Sequence, residues 1–93
     1  MSYSVFKDDE YEPLDAIAHD GQCVIFAPAN EFFGGPESMH YVSKVYDSPT
    51  WGQVFLESMK AQEVTNDYQH TFLEGVTPCK ESGLTILRLR LGS

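Results

Sequence analysis

Apolar positions along the chain are spaced in different ways from one stretch to the next, and each spacing points to an element. Tyr3 and Val5 alternate with polar neighbours, which predicts a short opening strand that the acidic stretch Asp8 to Glu12 interrupts. Cys23-Val24-Ile25-Phe26 is an unbroken apolar run within Gln22 to Ala27, the pattern of a buried strand, and Pro28 stops it. Before it, Leu14, Ile17 and Ala18 fit one face of a short helix running from Pro13 to His19, with Gly21 just past its end. A hairpin turning at Asp20-Gly21 is the rival reading. Pro13 suits a first turn, and Ala16 and Ala18 are poor strand formers, so the helix is favoured.

After the loop Gly34-Gly35-Pro36, helical spacing from Pro36 puts Met39, Tyr41, Val42, Val45 and Tyr46 on one side and Glu37, His40, Ser43 and Lys44 on the other, which predicts a helix. Ser48-Pro49-Thr50 supplies an N-cap and a first-turn proline for a second helix, along which Trp51, Val54, Phe55, Ser58 and Met59 recur at helical spacing. Beyond Asn66-Asp67 the period becomes two. His70, Phe72, Glu74 and Val76 share one side of a strand, and Thr71, Leu73 and Gly75 share the other. A turn at Lys80 to Gly83 returns the chain, and Leu87, Leu89 and Leu91 then face one way while Arg88 and Arg90 face the other. The expected fold is α+β: an antiparallel sheet of three or four strands, with two or three helices packed on one face.

The length of 93 residues allows a single domain, residues 1–93, since a second core would have too little apolar surface to stabilise it. Aromatic residues make up 13% of the chain, more than a disordered acidic sequence carries, so a packed core is expected. A formal charge of −8 repels phosphate backbones and anionic lipid, which argues against direct nucleic-acid binding. No apolar run is long enough to span a bilayer, and Met1 to Lys7 lacks the features of a secretory leader, so a cytoplasmic protein with no membrane partner is expected.

Few residues carry an obvious chemistry. His19, His40 and His70 are too scattered for a local metal motif, and no metal or cofactor is expected. Cys23 lies in an apolar strand where burial disfavours the thiolate, and nothing in the sequence places a base beside Cys79. Across an antiparallel hairpin Glu74 meets Arg88 and Arg90, as surface pairs or, beside His70, as a site for a small anionic or polar ligand. His70 and Glu74 share a strand face but stand roughly 13 Å apart along it, too far for a mutual hydrogen bond. Phe32 and Phe33, apolar in a loop, are the candidate interface residues of a homo-oligomer or a protein complex.

The segments Pro49-Thr50-Trp51-Gly52, His70-Thr71-Phe72-Leu73-Glu74-Gly75 and Leu89-Arg90-Leu91-Gly92-Ser93 resemble uncharacterised small bacterial proteins of integron gene cassettes and other mobile elements. The resemblance covers the second half of the chain. It implies a bacterial cytoplasmic protein from a gene pool in which accessory and defence functions are common, with no catalytic residues to carry over. Three functions are therefore weighed. The first is a self-associating binding or interaction module without catalysis. The others are a small ligand-binding protein or enzyme built on His70, Glu74, Arg88 and Arg90, and an acidic mimic that blocks a nucleic-acid-binding protein.

Overall fold

The computed structural model describes residues 1–93. Its strands are β1 (Ser2–Tyr3), β2 (Phe6–Lys7), β3 (Glu10–Tyr11), β4 (Gln22–Ala27), β5 (Tyr41–Val42), β6 (Tyr46–Asp47), β7 (Phe72–Glu81) and β8 (Leu84–Gly92). Its helices are α1 (Glu31–Gly34), a single turn that runs into a 3-10 turn at Gly35–Glu37, and α2 (Trp51–Thr65). The α+β class is as expected, but the main sheet is mixed and six-stranded rather than a small antiparallel one, with order β1-β7-β8-β4-β5 and β6 paired with β4 beside β5. β4 runs parallel to β8, and β1 parallel to β7, because the chain crosses over between them instead of turning back at once. β2 and β3 form a separate ribbon through a tight turn at Asp8 and Asp9, both at positive φ, where the acidic stretch lies.

The terminal hairpin and β4 form where the periodicity places them. Ser82 and Gly83 make the two-residue turn between β7 and β8, both at positive φ as that turn type requires. α2 also forms where expected, but its N-cap is Thr50 and not Ser48: the Thr50 hydroxyl accepts from the Gln53 amide at 3.2 Å, and the Gln53 side chain accepts from the Thr50 amide at 2.9 Å. Of the expected helices only α2 covers the sheet. Val54, Ala61 and Trp51 along it pack against Cys23, Ile25, Leu87 and Leu89, which point inward from β4 and β8.

Two segments depart from the expected helices. Residues 13–21 form turns joined to the start of α2 by a bridge between Ile17 and Thr50, with Leu14 and Ile17 exposed, so neither the helix nor the hairpin is present. Residues 41–47, within the expected helix, run as an edge strand antiparallel to β4, broken into β5 and β6. The break is a bulge that Ser43 closes: the Ile25 amide donates to the Ser43 hydroxyl at 2.8 Å, and the Ser43 amide donates to the Ile25 carbonyl at 2.8 Å. Because of the extra residue, Tyr41 and Tyr46, which a regular strand would send to opposite faces, both turn inward beside Ala27 and Cys23.

Both tyrosines reach Glu57, which is 2% exposed on the sheet-facing side of α2. The Tyr41 hydroxyl makes a short hydrogen bond to one carboxylate oxygen, Tyr46 donates to the other at 2.8 Å, and Lys60 reaches that same oxygen at 3.3 Å. Burial pushes the Glu57 carboxyl up, but these three hydrogen bonds outweigh it and hold the group below the usual carboxylate range. In return, desolvation and the hydrogen bond to Glu57 push the Tyr46 phenol up to about 12.

A folded-state value below the unfolded one means that Glu57 contributes stability above the unfolded carboxylate value of about 4.3, and loses it as pH falls through the folded value. Urea unfolding is therefore expected to show stability falling as the solution is acidified below that range, with a shallower fall in Glu57→Gln. Glu57→Ala, which strands two phenols in the core, is expected to cost about 2–3 kcal/mol at neutral pH.

Candidate functional site

β8 runs on past its last pairing with β4, at Arg88, to Gly92. Pro28 has turned the chain away at that point, and a notch opens between the end of β4, the end of α2 and the inner side of β8. The notch is a cleft of about 250 Å³. Leu89 and Leu91 contribute apolar lining, Asn30, Thr65, Asp67 and His70 contribute polar lining, and Arg88 borders it.

The polar wall is built by the end of α2. Asn66 takes the left-handed conformation as its C-cap, with φ 52°, and its side-chain amide donates to the Gly34 carbonyl at 3.0 Å. Gly34 has to be glycine, because a Cβ there would collide with the Thr65 carbonyl. Ser38 completes the junction: its hydroxyl accepts from the Asn30 amide and donates to the Thr65 carbonyl, each at 2.7 Å. The α1 loop is thereby held against the α2 terminus, and Asn30 faces Asp67.

Asp67, 6% exposed, is the centre of this wall. One carboxylate oxygen accepts from the amides of Gln69 and His70 at 3.2 and 3.3 Å, an Asx turn; the other takes the Asn30 side-chain amide at 2.9 Å and faces the His70 Nδ1 at 2.8 Å. Burial pushes the Asp67 carboxyl up, yet the hydrogen bonds from His70, Asn30 and the two amides prevail and hold it below the usual range. The carboxylate is thus charged at neutral pH and accepts a proton donor only, so Nδ1 of His70 carries the hydrogen and Nε2 is left to act. Phe33 fixes the ring from the side, with ring centroids 5.8 Å apart and nearly perpendicular planes. The His70 side chain remains 33% exposed.

An oriented imidazole beside a charged carboxylate is the arrangement of a general base or a directed hydrogen-bond partner. No protein nucleophile accompanies it. Ser38 is committed to the Asn30 and Thr65 backbone. Cys23 is in the core, where burial and then Asp47 push its thiol up, and Cys79 is exposed elsewhere on β7. No three His, Cys, Asp or Glu side chains converge to hold a metal ion.

Of the four residues expected to make a ligand site, His70 and Arg88 line this cleft, while Glu74 and Arg90 are not part of its lining. Both lie on the outer face of the sheet, and a bulge disturbs the register between them. Leu73 pairs with Leu91 but Gly75 pairs with Arg90, so Glu74 is an extra residue and the faces exchange after it. Val76 consequently packs on the core with Leu73 instead of lying beside Glu74. Neither arginine forms the expected pair with Glu74: its carboxylate lies over Gly92, the Arg90 guanidinium lies over Gly75, and the only lysine or arginine ion pair is Lys60 with Glu57. Phe32 is 88% exposed, whereas Phe33 turns to His70. Asp67 is the residue the sequence reading missed. Its signal was an Asp three positions before the histidine, directly after a helix-ending asparagine.

The fold and the site together describe a small helix-on-sheet domain with an Asp-oriented histidine in a shallow cleft. Compared with protein-family models, curated proteins and solved structures, the chain matches none.

Imidazole nitrogen NMR is expected to find neutral His70 with its hydrogen on Nδ1, and Asp67→Ala is expected to abolish that preference. The same variant strips acceptors from Asn30 and two backbone amides, so its unfolding midpoint should fall by an amount corresponding to about 2 kcal/mol.

Proposed function

We propose that the chain is a small ligand-binding module whose cleft takes a small carboxylate carrying a hydroxyl group. The observation that carries this reading is the Asp67-oriented His70 in a cleft bordered by Arg88, a cation with no acid within ion-pairing distance in a chain of charge −8. With Nδ1 occupied, the neutral form of His70 offers the Nε2 lone pair to a hydroxyl donor, and Arg88, the one cation among the lysines and arginines around the cleft, stands at its border for a ligand carboxylate to reach. Leu89 and Leu91 supply apolar contact to the remainder. The volume, about 250 Å³, is below the roughly 300–1,000 Å³ of clefts that take drug-sized molecules, which favours a compact metabolite-sized ligand. Binding uses the imidazole, the cation and the apolar lining together.

Titration of the labelled protein with lactate, followed by amide chemical shifts, tests this proposal. Saturable shifts are expected at Asn30, at Asp67 to His70 and at Leu89 to Leu91. Propionate, which lacks the hydroxyl, and lactamide, which lacks the carboxylate, should each bind at least tenfold more weakly, as should lactate to His70→Ala and to Arg88→Gln. Absence of saturation, or shifts that persist unchanged in His70→Ala, would overturn it.

A further inference from the structure

The cleft uses the inner side of β8, and the outer side of the sheet faces away from α2. The molecule measures 17 Å in its thinnest direction, the depth of one sheet and one helix, so no third layer covers that outer side. The β2–β3 ribbon lies with the helix: Tyr11 stacks on Tyr3, which in turn packs edge-on against Phe55 of α2. The uncovered face is apolar at its centre. Phe26 on β4, Ile86 on β8 and Cys79 on β7 surround a second hollow of about 160 Å³, with Glu81 and Arg88 at its border. Val24 lies on the same face, paired with Ile86, and is already buried within the chain.

Charged side chains frame this face: Arg90 and Glu74 near one end, Arg88 at the border of the hollow, and Glu81 toward the other end. The Arg90 guanidinium lies over Gly75 near the start of β7, and Glu81 stands at the end of the same strand. Roughly 20 Å of strand separates them, at about 3.3 Å per residue. Neither has an ion-pair partner within the chain.

We infer that this face is a two-fold interface with a second copy of the chain. A two-fold axis lying in the plane of the interface and crossing the strands level with Pro78 and Leu87, which pair with each other, would reverse the strand direction of the second sheet. Glu81 of each copy then lies opposite Arg90 of its partner, twice over. Ile25 pairs with Leu87, so Val24 and Phe26 stand at equal distances on either side of the same level. Phe26 of each copy then lies over the Val24 position of the other, and Ile86 and Cys79 over Arg88 and Thr77, with the strands aligned as in sheet-on-sheet packing. The second copy offers an acid to the unpaired Arg90 and a cation to the unpaired Glu81 in one arrangement. The negative charge of each copy is no obstacle at physiological salt, where charges more than about 8 Å apart are largely screened.

Light scattering at physiological salt tests this directly, on the parent chain, on Arg90→Glu, on Glu81→Arg, and on an equal mixture of the two variants. The parent is expected at twice the 10.5 kDa chain mass. Each variant alone places like charges opposite one another at both ends and should run as a monomer. Their mixture restores both pairs and should recover the dimer, which also shows that both variants fold. A monomeric parent would overturn the inference. So would a dimer unaffected by either variant, particularly one that Phe32→Ser dissociates, and so would a mixture that stays monomeric. Lactate binding at the cleft is read separately from mass, so failure of one proposal leaves the other standing.

Discussion

A carboxylate in the core is tolerable only while other groups replace the water it has lost, and for Glu57 those groups are two phenols and a lysine. Much of the structure follows from that requirement. It fixes the rotation of α2 about its axis, since Glu57 has to face the edge strand. It also requires the bulge at Ser43, without which Tyr41 and Tyr46 would point to opposite sides of the sheet. With the helix so placed, its last turn ends against the α1 loop, where Asn66 caps it and Ser38 and Gly34 admit close contact. Asp67 then falls between Asn30 and His70. The cleft is in this sense a consequence of how the helix is anchored some ten residues earlier.

The parts of the fold that were legible in the sequence are those whose signals are local. β4 is a continuous apolar run closed by Pro28, α2 has a helical period, and the terminal hairpin alternates across a two-residue turn. The parts that were not legible each contain an element that changes the period. In residues 41–47 a bulge places two tyrosines five apart on one face, and the resulting spacing imitates a helix. At Glu74 a second bulge exchanges the faces, which undid the pairing expected of Glu74 with Arg88 and Arg90 while leaving the strand itself in place. Bulges depend on the partner strand, and a single chain pattern does not carry them. His70 stood out as a titratable residue. Its partner was overlooked because Asp67 is a loop residue whose Asx turn, and not any strand or helix period, brings it back to the histidine.

The two bulges also bear on how a small sheet stays separate from its neighbours. One edge is closed by β1, only two residues long, and the other by the broken strand β5–β6, so neither offers a long flat ladder for edge-to-edge pairing. β8 is the strand that connects the two properties proposed for the molecule. Its alternation sends Leu89 and Leu91 toward the cleft and Arg90 to the open face, and Arg88 borders both the cleft and the hollow on the other side. A partner sheet laid on that face would press on the same short stretch of backbone that lines the cleft. Because β8 loses its β4 neighbour beyond Arg88, the stretch from Leu89 to Gly92 has ladder support only from β7, so it is where contact on one side of the sheet is most readily felt on the other.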